Sequence, residues 1–403
     1  MASKQQISDV IERIVSASKR YGQDEPGSRE DLMDLGRELV MSLENPTDFL
    51  IRLSWGEMGL AAMCKVGVQT NLFQHIKEAS PTGITPSSLA QKTNLDLSLL
   101  ARFLRHMASM HLITITSGKI HGTHISHALA SKQYQQALSF TYDLACTTSH
   151  SLPAHLQLTN YTPSTSLTST AFQTALNTSL PFFDHLVANP PHLDNFDAMM
   201  TISRASSPKW YDSGFYPVHE RLIADFDPTI SDNLLVDIGG GRGHDVRGFK
   251  SRHPDHPGKL VLQDREPVVR ALLESHTSTK EELGFSAQIH DFFTEQPIQH
   301  ARAYHFHWIL HDWNDDACVE ILKRLIPALK RGYSRILLSE IVVDEERPRV
   351  EHTAMDLCML GFFNVRERTE REWRGIVERA GLRVTGIWSW AGVAESVVEV
   401  GLV

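Results

Sequence analysis

One stretch limits the possible folds more than any other. Leu234-Leu235-Val236-Asp237-Ile238 runs without a break into Gly239-Gly240-Gly241-Arg242-Gly243-His244. The apolar run reads as a buried strand, and the glycines let the backbone turn tightly and let a ligand approach closely. From about residue 216 to the end the pattern alternates strand and helix, the signature of a doubly wound α/β sheet. Strands are predicted at 234–238, 259–264, 286–290, 303–309, 334–341, 382–389 and 393–399. The clearest helices between them are 315–330 and 369–380.

In such a sheet ligands bind at the carboxyl ends of the strands. Asp237, Asp264, Asp291, His311 and Glu340 all fall there. No Lys-Ser/Thr follows the glycines, so the turn is not a Walker-type phosphate loop. A carboxylate at Asp237, just before the turn, disfavours a polyphosphate and suits a cationic ligand. Asp264 ends the next strand, where a carboxylate takes ribose hydroxyls in nucleotide folds. A nucleoside with a positive charge and no phosphate is S-adenosylmethionine, and this is the cofactor expected.

The front of the chain is helical. Residues 4–21 and 30–44 place apolar side chains on one face each, ending at Pro46, and suggest an arm that packs on a second subunit. Short helices at 86–93 and 97–107 precede two strand-like segments around Ser117-Gly118, a hairpin signal. Helix, helix and hairpin make a winged-helix-like domain, but a net charge of −9 argues against nucleic acid and against an anionic membrane. Residues 147–180, rich in Ser and Thr, read as an irregular connector. Helical periodicity returns from 171 to 200, where Phe183 and Met199 are candidate acceptor contacts. Four scattered cysteines without a CxxC pair, and no leader or apolar span, lead us to expect a reduced cytoplasmic protein. His305 and His307 share a strand face while His311 lies beyond it, so no metal site is expected.

At this point Val236-Asp237-Ile238-Gly239-Gly240-Gly241, Ile309-Leu310-His311-Asp312-Trp313, Leu338-Ser339-Glu340 and Arg366-Glu367-Arg368-Thr369 carry a resemblance. Together they resemble the caffeic-acid-type O-methyltransferases of plants and fungi, which are class I S-adenosylmethionine-dependent enzymes. Gly-Gly-Gly-Arg-Gly-His-Asp with Leu262-Gln263-Asp264 downstream is similar to the fungal branch. The resemblance covers roughly residues 50–403.

The resemblance implies a Rossmann-like catalytic domain at 216–403, a helical connector at 131–215 that contributes to the substrate pocket, and an arm with winged-helix-like domain at 1–130 that forms a homodimer. It implies that Gly239 and Gly241 approach the methionine part of the cofactor, Asp264 takes the ribose, and Asp291 and Phe292 hold the adenine. His311 becomes the general base, flanked by Glu340 and Glu367. Met359 and Phe363 fall about where the family sets a methionine against an aromatic acceptor. The family often has lysine four residues before the base. This chain has His307 there, which is taken as a cofactor contact in its place. The expected reaction is methylation of a phenolic or enolic hydroxyl on an aromatic or polyketide-type secondary metabolite. The alternative on the same fold is a cyclase or pericyclase that uses the bound sulfonium as a charge.

Overall fold

The computed structural model describes residues 2–162, 164, 166, 168–205, 208–279 and 283–403. The chain forms two compact units, one of residues 1–162 and 168–207, the other of 163–167 and 208–403.

In the first unit, helices Lys4–Tyr21 and Ser28–Leu43 pack on each other. Ser3 begins the first with a reciprocal capping box to Gln6, which satisfies two amides that a helix start otherwise leaves open. Pro46 does not simply end the second helix. It is the first residue of the next, Pro46–Ile51, capped by Asn45, a position where proline's missing N–H costs nothing. Helices Pro86–Thr93 and Leu97–Ser109 lead into a hairpin of β1 (Ile113–Thr116) and β2 (Lys119–Gly122). Ser117 and Gly118 both have positive φ, as a tight two-residue hairpin turn requires. Phe73, Leu89, Leu100, Leu104, Ile113 and Ile120 close the core.

The connector is more regular than its composition suggests. Thr147–Leu158 is a helix with Pro153 inside it, and Ala171–Leu176, Phe182–Ala188 and His192–Ala205 follow. Up to residue 205 this segment belongs to the first unit, where helix Lys132–Phe140 packs along His192–Ala205.

The second unit is built on an eight-stranded sheet. Its strands are β3 (Asn233–Ile238), β4 (Lys259–Asp264), β5 (Ser286–Ile289), β6 (Ala303–His307), β7 (Arg335–Val343), β8 (Arg368–Thr369), β9 (Leu382–Ser389) and β10 (Glu395–Leu402). The order is β5-β4-β3-β6-β7-β10-β9, and the short β8 pairs with β7. All neighbours are parallel except β10, which is antiparallel to both β7 and β9. The chain winds outward through β4 and β5, then returns to the other side of β3 at β6. The crevice at that reversal is where doubly wound sheets take their ligands.

Successive strand residues point to opposite faces. Ile336 and Leu338 enter one buried cluster with Val236, Phe306 and Trp373, while Leu337 enters the other with Leu235, Phe249 and Trp210. Each buried leucine or phenylalanine there contributes about 1.5–3 kcal/mol over exposure. Several expected boundaries move, among them β10, which begins two residues later and ends three residues later than expected, and β7, which runs on to Val343. β6 stops at His307 because Trp308 takes a left-handed φ of 53°. Helix Asp315–Leu325 ends before 330 and gives way to a short tight turn at Ile326–Ala328, where Pro327 has no N–H to continue the helix.

Candidate active site

The glycine turn is shaped by β4. Gly239 N–H donates to the Gln263 carbonyl at 2.8 Å. Gly241 N–H donates to Oδ2 of Asp264 at 2.8 Å, and Arg265 N–H to its Oδ1 at 2.7 Å. Burial pushes the Asp264 carboxyl above its ordinary range, against those amides. Gly239, Gly241 and Gly243 all have positive φ. A Cβ on Gly239 would stand 2.6 Å from Ile309 Cδ1, and one on Gly240 would stand 2.5 Å from Asp237 Oδ2. Around Gly241 a Cβ would meet nothing within 4 Å, so this side of the turn is open.

Asp237 is buried at the end of β3. Its Oδ1 lies 3.0 Å from His305 Nδ1, and the other His305 nitrogen lies 3.0 Å from Ser339 Oγ. Burial raises the Asp237 carboxyl and His305 pulls it back. Asp237 Oδ2 is buried with no hydrogen-bond partner among the described residues. Such an orphan oxygen normally has a partner that completes it. A carboxylate oxygen against a glycine turn fits the cationic methionine portion of S-adenosylmethionine, and Asp264 on the next strand fits its ribose. Glu399, a buried carboxylate in β10, makes the contrast. It accepts from Tyr216 at 2.6 Å and from Arg335 at 3.0 Å, with Arg221 and Thr385 also on it, and it is structural.

Asp291 is exposed just past β5, and its carboxylate accepts from Phe293 N–H at 3.0 Å. Phe292 is half-buried and packs its ring against Phe293 and Trp313. His307 differs from expectation. Its Nδ1 lies 2.9 Å from Asp245 Oδ2 and its Nε2 lies 2.8 Å from Glu395 Oε2. Both ring nitrogens are committed to protein carboxylates, so the ring offers none to a cofactor. Asp245, His305 and His307 bring ligand-type atoms within 4.8 Å of one another. In this structure the ring nitrogens are taken up by hydrogen bonds to protein groups, His305 with Asp237 and Ser339 and His307 with Asp245 and Glu395.

His311 sits in a tight turn, Leu310–Asp312, beyond β6. It is buried, and its Nδ1 lies 2.7 Å from Oε1 of the fully buried Glu367 carboxylate. Glu367 is therefore no solvated charge between arginines. Glu340 does not bond the ring. Its Oε1 accepts from Ile309 N–H at 3.1 Å and Leu310 N–H at 2.8 Å, fixing the backbone of the turn. Asn314 caps the helix that follows, and Asp312 turns back toward the base. It stands 3.5 Å from His311 Nε2. Burial lowers the His311 pKa, but Asp312, Glu367 and Glu340 outweigh it and carry the ring up to about 9. Burial lifts Glu340 to about 7 and Asp312 to about 6. Glu340 Oε2 and Glu367 Oε2 have no hydrogen-bond partner among the described residues.

Arg368 is the residue that sequence reasoning passed over. Its side chain is fully buried, and it donates to the Leu310 carbonyl at 3.1 Å, the Trp313 carbonyl at 2.6 Å and Asp315 Oδ1 at 2.9 Å. Adjacent residues thus hold the base in two ways, Glu367 by the ring and Arg368 by the turn. Met359 and Phe363 are buried one turn apart on helix Val350–Phe363. Phe183 and Met199 lie in the first unit, where Phe183 joins an aromatic cluster with Phe182 and Phe196.

Comparison with known proteins agrees with this geometry. Residues 217–383 match the family model of the O-methyltransferase domain. O-methyltransferase mpaG' of Penicillium brevicompactum is 44% identical over 394 residues, covering 98% of each chain. The chain belongs to the fungal O-methyltransferases of this family. A solved structure described as LepI in complex with SAM superposes with a TM-score of 0.87 at 27% identity, covering 100% of both chains. Another, described as a pericyclic reaction enzyme, gives a TM-score of 0.86 at 26% identity over 100% of both. This O-methyltransferase uses S-adenosylmethionine to methylate oxygen on a small-molecule secondary metabolite. No helix among the described residues is long and apolar enough to cross a membrane.

Proposed function

We propose that the enzyme methylates a phenolic or enolic hydroxyl of an aromatic or polyketide-type acceptor, with His311 as the general base. The observation that carries this is the buried His311–Glu367 pair at 2.7 Å at the carboxyl edge of the sheet. A phenol with a pKa of about 10 is scarcely ionised at neutral pH. A histidine that takes its proton as the C–O bond forms contributes about 10²–10⁴ in rate. Glu367 accepts the Nδ1–H, which leaves Nε2 to receive the proton and steadies the imidazolium that results. Glu340 and Arg368 keep the turn in place. Bound S-adenosylmethionine supplies the electrophilic methyl group, held by Asp237, the turn at Gly239 and Gly241, Asp264, Asp291 and Phe292.

Met359 and Phe363 are proposed to touch the acceptor. Phe183 and Met199 are proposed for the same role on their sequence pattern alone. In this scheme 216–403 is the catalytic domain, 131–215 adds to the acceptor pocket and 1–130 makes a homodimer. Val15, Met41, Leu43, Leu50, Leu53 and Trp55 support the dimer, because all are large apolar side chains more than two-fifths exposed, and a partner would remove that surface from water. No disulfide joins the four cysteines among the described residues, which supports a cytoplasmic location. Light scattering of the purified chain tests the dimer, and a monomer overturns it.

The test of the base is His311→Ala with cofactor binding followed by calorimetry. Turnover is expected to vanish while affinity for S-adenosylhomocysteine stays intact, and lost affinity makes His311 structural. The likeness to a pericyclic enzyme favours a second reading, cyclisation with the cofactor as a charge. One equivalent of S-adenosylhomocysteine formed per product excludes it.

A further inference from the structure

β6 sends two histidines, His305 and His307, to the same face of the sheet. Both are buried, and each has both ring nitrogens at hydrogen-bond distance from protein groups. The partners differ in one decisive respect. His305 faces one carboxylate, Asp237, and one hydroxyl, Ser339, which can donate as well as accept. A neutral imidazole with Nδ1–H toward Asp237 satisfies both. His307 faces two carboxylates, Asp245 at 2.9 Å and Glu395 at 2.8 Å. A neutral imidazole has one N–H and one lone pair, and its lone pair would be set against an anionic oxygen in a dry site. Two N–H donors meet both carboxylates.

We propose that His307 is held as an imidazolium and is a positioning residue for the cofactor turn. Asp245 is the second residue of helix His244–Arg252, which begins directly after Gly243. Its second oxygen accepts from the buried Trp210 indole at 3.1 Å. Glu395 opens β10. One buried cation therefore ties the exit of the glycine turn to β6 and, across the sheet, to β10. The turn's entrance is tied by the other histidine, through Asp237. Among the described residues, titratable groups facing His307 include Asp245 from the helix, Glu395 from β10 and His305 from β6, with Asp237 of β3 and Tyr211 in electrostatic reach of them. The carboxylates among these favour a cation at this position, while the Tyr211 phenol is kept neutral by burial and by those same carboxylates.

The test is nitrogen NMR of the full-length chain labelled with ¹⁵N-histidine, from pH 6 to 9. His307 is assigned by the signal missing in His307→Gln, or by the signal that moves in Glu395→Gln if the first variant does not fold. Both nitrogens of His307 are expected to be protonated at pH 7 and to share the near-equal shifts of an imidazolium. In Glu395→Gln the amide can donate to Nε2, so the ring is expected to turn neutral in that range. His307→Gln is expected to weaken S-adenosylhomocysteine binding about 10- to 100-fold, the loss of a charge-assisted hydrogen bond or two. A neutral His307 in the unaltered protein at pH 7 overturns the proposal. So does a folded His307→Gln protein with unchanged affinity.

Discussion

Nδ1 of His311 and Oε1 of Glu367 lie 2.7 Å apart, although the residues are 56 positions apart in the chain. The base and the group that orients it come from a turn after β6 and from the residue before β8. Glu367→Gln keeps the size of the side chain but removes the charge, and its amide can present the wrong atom to the ring. We expect kcat to fall about 10²-fold or more, with the Kd for S-adenosylhomocysteine unchanged. Steady-state kinetics beside calorimetry check this. A variant with full kcat would remove Glu367 from the mechanism.

The pH profile follows from the carboxylates around the base. Three of them hold His311 up at about 9, so in the free enzyme the ring is protonated at neutral pH rather than mostly neutral, as its ordinary value implies. A protonated ring cannot accept the acceptor's proton. The kcat/KM profile is expected to rise with pH, pass half its maximum near 9 and level off only above that, since it reports the free enzyme. Stability moves the other way. His311 binds its proton more tightly folded than unfolded, so its contribution is full below about 6.5 and is lost as pH rises through 9. Melting temperatures from pH 6 to 10 should decline more steeply for the natural chain than for His311→Gln.

A cation bound near that imidazolium favours loss of its proton. S-adenosylmethionine is a sulfonium and S-adenosylhomocysteine is not. Calorimetry at pH 8 in buffers of different ionisation enthalpy should show proton release with the first ligand and much less with the second. Equal release from both would separate His311 from the cofactor's charge.

Much of this arrangement could be read from the chain before any coordinates. β3 and β4 were legible because buried strands in a doubly wound sheet are short apolar runs between turn residues, and polar groups at their ends stand out, while the half-exposed edge strands β5 and β9 were legible only from the alternation of strand and helix. His311 and Glu340 stand out in the same way near strand ends, and Glu367, which precedes β8, was proposed from the family pattern alone. What was not legible depends on partners far away in sequence. His307 and Glu395 are 88 residues apart, and Arg368 and Leu310 are 58 apart, and no local spacing announces either pair. The helix Thr147–Leu158 was hidden differently. Its Ser, Thr and Pro153 argue locally for a loop, and its packing against helix Ala171–Leu176 overrides them.

Arg368 offers a separate check on the turn. Three partners and the face of Trp373, 5.0 Å away, hold its guanidinium in one orientation. Lysine has the charge but cannot bridge the Leu310 and Trp313 carbonyls at once. Arg368→Lys is expected to lower kcat about tenfold while cofactor affinity holds. Arg368→Ala should cost roughly 3 kcal/mol of stability through the buried groups it leaves unpaired, read as a shift in denaturant midpoint. Added guanidinium at low concentration should restore part of the alanine variant's rate, and it would do nothing if the loss were general unfolding.

The glycines of the turn separate two kinds of constraint. Gly241 has a φ of 56° and open space where a Cβ would go, so Gly241→Ala meets backbone strain of about 1 kcal/mol and no clash within the chain. At Gly240 the problem is contact. A Cβ there would be 2.5 Å from Asp237 Oδ2 and 3.0 Å from Leu262 Cγ, and neither can yield easily. Asp237 is pinned by His305 at 3.0 Å, and Leu262 is fully buried. The oxygen that would be crowded is the same one left without a partner at the proposed cofactor site. Gly240→Ala is therefore expected to lose cofactor affinity by 100-fold or more, about 2.7 kcal/mol, while the fold survives. Gly241→Ala is expected to lose affinity only as far as the ligand itself needs the open side. If Gly240→Ala bound S-adenosylhomocysteine like the natural chain, Asp237 would not be the cofactor's anionic contact. The buried carboxylate would then be a structural partner of His305 alone.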